Sequence, residues 1–164
     1  YSGKELKLVT ANIRRNSPLC LDSKIHHNNL INNILAKIEA NHAGVDDAVM
    51  LDLDGFVAET NATNIFMTKD EVVLTSFPKA CLPGITRGLI IDLCKRNNIP
   101  IIEQDISVTQ LYNADEVFTT GTMGELARVV EIDNRKIKNT GIYFNKLQLI
   151  FRKLTEIEGE KLPF

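Results

Sequence analysis

The sequence has little excess charge of either sign and no cluster of basic residues. Its 19 Lys and Arg residues are offset by 21 Asp and Glu residues, which gives a net charge of -2. A nucleic-acid partner is therefore not expected, because the phosphate backbone is bound by concentrated positive charge. No apolar run approaches the roughly 20 residues that cross a bilayer, and the first ten residues lack the apolar core of a signal peptide. We therefore expect a soluble, cytoplasmic protein with no membrane partner.

The sequence also lacks the common patterns of metal and nucleotide sites. Its three cysteines, Cys20, Cys81 and Cys94, match no zinc or redox spacing. His26 and His27 are adjacent, so on a helix they would point about 100° apart, and neither has a metal-ligating partner four residues away. Neither G-x-G-x-x-G nor G-x-x-x-x-G-K-[ST] occurs. We predict no metal site, and a nucleotide-binding module is disfavoured.

The length is that of one domain. With 164 residues, the chain can bury a complete core, on a scale of roughly 100–200 residues per domain. We predict a single domain over residues 1–164. The chain begins at Tyr1 without Met, and a strand-like segment follows almost at once. This start suggests a fragment or a processed product, although a trimmed or tagged chain would begin in the same way.

Strand-like and helix-like segments are interspersed along the chain. Periodicity and turn residues predict helices over Asn28 to Asn41, Leu82 to Asn97 and Tyr143 to Glu156, and a helical turn at Ser107 to Asn113. They predict strands at Lys7 to Arg14, in "DAVMLDLDG", in "FVAETNATNIFMTKDEVVLTS", in "PIIEQDI", in "ADEVFTTGT" and in the hairpin "ARVVEIDNRKI". The predicted class is α/β or α+β with a mixed, curved sheet.

The segment "LPGITR" raises a question about Thr86. A Pro-Gly turn opens a helix here, and a Thr near a helix start usually caps free backbone N–H groups. Alternatively, the first amides of the helix and the Thr hydroxyl bind an anion such as phosphate. The turn alone does not decide between the two interpretations.

Four segments together resemble a known enzyme family. They are "SKIHHNNLINNILAKIEA", "LDLDGFVAETNATNIF", "CLPGITRGLI" and "ADEVFTTGTMGE". In sequence and separation they resemble the large, C-terminal domain of the fold-type IV pyridoxal-phosphate enzymes. This family includes branched-chain amino acid aminotransferases, D-amino acid aminotransferases and aminodeoxychorismate lyases. The similarity extends from about Lys7 to Phe151. It implies a curved mixed sheet, or pseudo-barrel, with flanking helices.

The resemblance implies two charged groups for the reaction. Lys24 matches the family's Schiff-base lysine, which binds the aldehyde of pyridoxal 5'-phosphate and then shuttles a proton at the substrate α-carbon. Taken alone, a lysine at this position is more often a solvated surface group. Glu59 matches the carboxylate that keeps the cofactor's ring nitrogen protonated, whereas taken alone it is an exposed residue at a strand end.

The resemblance also answers the question about the helix start. It implies that Leu82, Ile85 and Thr86 contact the cofactor phosphate, with Thr122 closing the other side. The N–H groups of Thr122 and Met123 would then lie near the substrate α-carboxylate. Asn29 stands where branched-chain enzymes usually place a Tyr that contacts the cofactor's phenolic oxygen.

The family's small N-terminal domain is absent from the sequence, and the family implies a homodimer for a full-length parent. The implied activity is transfer of an amino group between an amino acid, branched-chain by this resemblance, and a 2-oxo acid such as 2-oxoglutarate. A D-amino acid aminotransferase, an aminodeoxychorismate lyase and an inactive cofactor-domain fragment are the alternatives.

Overall fold

The computed structural model describes residues 4–158, which form nine strands and four helices. The strands are β1 (Leu6–Thr10), β2 (Asp47–Leu51), β3 (Val57–Thr60), β4 (Asn64–Lys69), β5 (Val72–Thr75), β6 (Ile101–Glu103), β7 (Glu116–Gly121), β8 (Glu125–Ile132) and β9 (Arg135–Lys136). The helices are α1 (Ile31–His42), α2 (Ile85–Arg96), α3 (Val108–Tyr112) and α4 (Ile142–Glu158). Within residues 4–158, no helix is long and apolar enough to cross a membrane.

All nine strands belong to one mixed sheet. Its order is β3-β2-β1-β8-β7-β4-β5-β6, with β9 paired to β8. The pairs β1–β2, β1–β8 and β5–β6 are parallel, and the other pairs are antiparallel. The sheet curls so that its two ends approach each other: Val57 N–H donates to Ile106 O, just beyond β6, at 2.8 Å. The predicted curved, mixed sheet is confirmed.

Side chains alternate between two apolar layers. Inside the curl, residues such as Leu8, Val49, Met67 and Val117 form one core together with Leu111 of α3. Outside the curl, α2 and α4 pack on the face that carries Phe66 and Phe118. The two rings stack with their centroids 5.2 Å apart. The period of two along each strand separates these layers, because successive side chains point to opposite faces.

Helix α1 covers the outer face at the other end of the sheet. Its Ala36 and Ala40 pack on Ala48 and Met50 of β2, and all four side chains are buried. The alanine side chains of the helix and Ala48 of the strand allow the two elements to lie close together. The helix begins at Ile31 rather than at the predicted Asn28, and the predicted first strand ends at Thr10 rather than Arg14. Residues 11–30 therefore form a long connection with several turns, and its first part runs beside β2, where Ala11 N–H donates to Val49 O and Arg15 N–H donates to Leu51 O.

A β-bulge sets the direction of Glu59. The register of β2 and β3 shifts between Met50 and Leu51, so that Val57 pairs with Leu51 and Glu59 pairs with Met50. Paired residues share a face of the sheet. Val57 therefore faces the inner core, whereas Glu59, two residues later, faces outward on the side of α1. A regular strand would have placed both on the same face.

Candidate active site

The four segments singled out in the sequence meet at one end of the sheet. Strand β4 begins where β7 ends, because Asn64 pairs with Thr120. The Asn64 side chain donates to Leu82 O at 2.9 Å, which ties the turn before α2 to the same edge. Glu59 joins this group because Glu59 and Leu82 line the same cavity.

Glu59 is a buried carboxylate with a buried cationic partner. Its side chain is 6% exposed, and its Oε1 lies 2.7 Å from Arg15 Nη2. Burial raises the pKa of Glu59 to about 7, against the opposing effects of Arg15 and of the Leu82 amide. The net direction is upward because burial disfavours the charged form of a carboxyl group more than one ion pair restores it.

Arg15 connects Glu59 to two other segments, the one before α2 and α1. Its Nε donates to Ala80 O at 3.2 Å, and its Nη1 donates to the side-chain oxygens of Asn32 and Asn33, each at 2.9 Å. No pattern in the sequence singles out Arg15. The adjacent Arg14 has the same residue type, and only the fold shows which of the two is buried.

Lys24 lies at the surface, in a turn of the connection before α1. Its side chain is 42% exposed, and its Nζ lies 2.9 Å from Asp22 Oδ1. The same Asp22 oxygen accepts the Lys24 backbone N–H at 3.0 Å, and the pKa of Asp22 is lowered by these contacts. Lys24 Nζ also donates to Lys79 O at 3.4 Å, close to the segment that Arg15 contacts at Ala80.

The start of α2 is shaped by Gly84, which has a φ of 63°. A Cβ at this position would lie 2.0 Å from Asn64 Oδ1, so the close approach of turn and strand needs glycine. No side chain caps the helix, and Thr86 is its second residue. The interpretation of Thr86 as a side-chain cap is therefore wrong. The first amides of α2 are left available to another acceptor.

The other predicted contact residues lie on the β7–β8 turn, at the start of α2 and in the connection before α1. Thr122 and Met123 form the turn between β7 and β8, and Met123 is 96% exposed. Gly121 packs against the side chain of Thr63, so this turn borders the β3–β4 turn. Ile85 is exposed and Thr86 is buried. Asn29 is exposed in the connection before α1.

A cavity of about 380 Å³ opens beside Glu59. Its lining includes Arg15, Ser23, His27, Asn33, Glu59 and Leu82. Within residues 4–158, Ser23 Oγ and His27 Nδ1 are buried without a hydrogen-bond partner, as is Thr120 Oγ1 two residues before Thr122. The structure thus brings Glu59 and Leu82 to one cavity. It places Lys24, Asn29, Ile85, Thr86, Thr122 and Met123 outside the lining.

The comparison of sequences identifies relatives among aminotransferases. The family described as amino-transferase class IV matches residues 1–132. The branched-chain-amino-acid aminotransferase-like protein 2 of Arabidopsis thaliana is 58% identical over 158 residues. That match covers 95% of this chain and 28% of the relative, so the chain spans less than a third of that relative's length.

Solved structures with the same fold include two branched-chain aminotransferases. The enzyme of Thermoproteus uzoniensis, solved with norvaline, superposes with a TM-score of 0.91 and 30% identity, over 96% of this chain and 53% of the other. The enzyme of Thermobaculum terrenum, solved in its pyridoxal-phosphate holo-form, gives a TM-score of 0.88 and 28% identity. That match covers 92% of this chain and 51% of the other.

Proposed function

Because this chain belongs to the class IV aminotransferase family, we propose that it acts as a pyridoxal-phosphate-dependent aminotransferase. It moves an amino group between a branched-chain L-amino acid and a 2-oxo acid such as 2-oxoglutarate. The observation that carries the proposal is the buried Glu59 carboxylate beside a cavity, at the same sheet end as an uncapped helix start. The names of the relatives support the branched-chain class of substrate.

The residues present fit pyridoxal 5'-phosphate in three respects. Glu59 offers a carboxylate to a protonated ring nitrogen, and that charge would favour its ionised form. The amides at the start of α2 suit a phosphate, because no side chain uses them and the helix dipole favours an anion. The cavity contains buried polar atoms without partners, Ser23 Oγ and His27 Nδ1, which a polar ligand would satisfy.

When bound, the cofactor supplies an electron sink for the charge that develops at the substrate α-carbon. Glu59 holds the proton at the ring nitrogen, because an ionised carboxylate in a buried site favours the protonated partner. Arg15 is the counter-charge that remains beside it. A neutral side-chain amide, as in Glu59→Gln, would accept a hydrogen bond from the ring nitrogen but would not keep that nitrogen protonated.

Lys24 supplies the amine to which the cofactor attaches, and its Nζ removes and returns the proton at the substrate α-carbon. For this work the amine must leave the Asp22 carboxylate. Both groups lie partly in solvent, where an ion pair is weak, so little opposes their separation.

Ile85 and Thr86 hold the phosphate from the α2 side, and Thr122 holds it from the β7–β8 turn, each with a backbone N–H or a hydroxyl group. Leu82 borders the phosphate from the turn before α2, where its N–H faces Glu59 and its carbonyl accepts from Asn64. The amides of Thr122 and Met123 bind the substrate α-carboxylate. Asn29 donates its side-chain amide to the cofactor's phenolic oxygen, and its shorter reach makes this contact weaker than that of a tyrosine.

The proposal extends to compartment and assembly. The described cysteines are free thiols, with Cys20 exposed and Cys81 and Cys94 buried, which suits a reducing compartment such as the cytoplasm. We propose that the working form is a homodimer, with small-molecule amino acids and 2-oxo acids as its partners. Several exposed apolar side chains on α1, among them Ile31, Ile34 and Ile38, are consistent with a covering partner.

Covalent attachment tests the lysine assignment. The chain is incubated with pyridoxal phosphate, reduced with borohydride and mapped by peptide mass. We expect the label on Lys24 and its loss in Lys24→Ala. Lys79→Ala is the matched control, because Lys79 is a neighbouring exposed lysine that pairs with Asp105. A label on another lysine, or none in the folded chain, contradicts the assignment.

Transamination tests the substrate class. L-leucine, L-valine and L-isoleucine are offered with 2-oxoglutarate, and D-alanine is offered in a parallel assay. Conversion of the branched-chain L-amino acids alone supports the proposal. Conversion of D-alanine alone would replace it with a D-amino acid aminotransferase. Labelling at Lys24 without any conversion would indicate a cofactor domain that does not turn over by itself.

A further inference from the structure

Arg15 is the most connected buried charge at the site. Its side chain is 6% exposed and reaches Glu59, Ala80, Asn32 and Asn33 with three different nitrogens. These partners come from β3, from the segment before α2 and from α1. A guanidinium bonded on several sides keeps a fixed direction, because its planar nitrogens cannot turn independently.

The fixed direction matters for Glu59. A buried carboxylate loses its hydration and tends to become neutral unless a cation lies close to it. The 2.7 Å contact from Arg15 Nη2 supplies that cation. The contact reaches one carboxylate oxygen, Oε1, while the Glu59 side chain lines the cavity.

We propose that Arg15 is a positioning residue of this site: its guanidinium, anchored by Ala80, Asn32 and Asn33, keeps Glu59 ionised and oriented toward the cavity. The inference rests on the proposed function in one respect: it names a cofactor's ring nitrogen as the group that binds to Glu59. The effect of Arg15 on Glu59 exists in the chain without cofactor and is measurable there.

Several other titratable or charged groups surround Glu59. Cys81, from the segment before α2, is buried next to it, and burial raises the pKa of the Cys81 thiol to about 12, so the thiol stays neutral. His26, His27 and Lys37 line the same cavity. Lys37 is held by Asp47 at 3.0 Å. Arg15 is thus the group in direct ionic contact with Glu59 among the described residues.

The direct test is the titration of Glu59 itself. The chain is labelled with ¹³C at the glutamate side-chain carboxyl, and the Glu59 resonance is assigned by its loss in Glu59→Gln. In Arg15→Gln we expect the titration midpoint to rise by about 1–3 pH units, the effect of removing an adjacent opposite charge. Arg87→Gln is the matched control, because Arg87 is equally buried but pairs with Glu103. It should move the midpoint by less than half as much.

Arg15→Lys keeps the experiment decisive if the glutamine variant does not fold. A lysine retains one charge but cannot reach Ala80, both asparagines and Glu59 together. We expect an upward movement of the midpoint that is smaller than about 1 pH unit but outside error. An unchanged or lowered midpoint in the folded Arg15 variants overturns the inference.

A second measurement links Arg15 to the cofactor. Pyridoxal phosphate is titrated into the chain and the variants at about pH 7.5, and binding is followed by absorbance. We expect Arg15→Gln to weaken binding about tenfold, while Arg87→Gln stays near the parent. If the parent binds no pyridoxal phosphate, the proposed function fails, whereas the Glu59 titration still decides the role of Arg15. Equal binding by parent and Arg15→Gln overturns the positioning role toward the cofactor.

Discussion

The two sides of the site are held in opposite ways. Around Glu59, the groups are buried and each is bonded to neighbours from separate elements, from Arg15 to Ala80 and Asn32. Around Lys24, the amine is 42% exposed and its contacts are one carboxylate at 2.9 Å and one carbonyl at 3.4 Å. The buried carboxylate and the turn before α2 are thus fixed by several contacts, whereas the Lys24 amine is held by two contacts at the surface.

The largest expected effect is the loss of stability when Gly84, on the buried side of the site, is replaced. In Gly84→Ala, the Cβ would meet Asn64 Oδ1 at a positive φ, and the Asn64 side chain cannot yield without losing its bond to Leu82. We expect a loss of about 2–4 kcal/mol in the free energy of unfolding. Denaturant titration measures it. Gly44→Ala is the control, because Gly44 has a similar φ of 69° and nothing within 4 Å, and it should lose about 1 kcal/mol. Equal losses would show that the close approach at Gly84 is unimportant.

The next largest effect is the pH dependence of the free energy of unfolding that Glu59 causes. Glu59 has a raised pKa of about 7 in the folded chain, against 4.5 ordinarily. Between these values the folded chain binds more protons than the unfolded chain, so stability falls as pH rises from about 4.5 to 7 and is then level. We expect this group to account for about 1–3 kcal/mol.

The measurement is the free energy of unfolding against pH for the parent chain and for Glu59→Gln, without cofactor. The difference between the two curves isolates Glu59, because the other titrating groups are shared. Relative to the glutamine variant, the parent should lose stability between about pH 5 and pH 7. A difference that is flat over this interval contradicts the raised pKa.

A smaller effect is expected on the affinity for pyridoxal phosphate when the two threonines assigned to its phosphate are replaced. Thr86 is buried at the start of α2 and Thr122 is exposed on the β7–β8 turn. If both bind one phosphate, each alanine variant should weaken pyridoxal phosphate by about 1–2 kcal/mol, and the double variant should be non-additive. Cofactor titrations of the four proteins, with thermal melts of the cofactor-free forms, measure this. Unchanged affinity in Thr86→Ala would remove the helix start from the phosphate site.

The smallest effect concerns the stability of the exposed side. Lys24→Ala removes an ion pair that lies partly in solvent, so we expect the free energy of unfolding to change by less than about 0.5 kcal/mol. The same substitution should abolish borohydride-stable labelling. A loss above about 1 kcal/mol would mean that Lys24 is part of the folded framework, and the contrast between the two sides would disappear.

Much of the fold follows from the sequence because its signals are local. The short apolar run in "NIFMTK", followed by turn residues, predicts a strand, and Asp70 and Glu71 adopt the positive φ values of 47° and 65° that a tight hairpin turn needs. The helical period behind Gly84 predicts α2 to within about three residues. The same signals do not predict the pairing of β1 with both β2 and β8, because that register depends on contacts remote in sequence.

The candidate site was predicted from a resemblance of motifs, and three features of it lay beyond the sequence. The bulge between β2 and β3 reverses the face of Glu59, against the period of two along the strand. Arg15 is distinguished from Arg14 only by burial. The exposure of Lys24 depends on the path of residues 11–30 between β1 and α1. The assignments of Lys24, Asn29 and the phosphate-binding residues stay predictions.

The position of β1 has a consequence for how the chain is made. β1 lies between β2 and β8, yet its pairing with β8 joins Leu6 to Val129. During synthesis, the ribosome delivers β1 and β2 long before β8, so one edge of β1 waits without a partner until most of the chain has emerged. Ribosome-arrested chains should therefore resist protease only when their length carries β8 clear of the exit tunnel. The sheet is therefore complete only after β8 has been synthesised and has paired with β1. A nascent chain that contains β1 but not β8 exposes an unpaired strand edge, at which it can pair with the wrong strand.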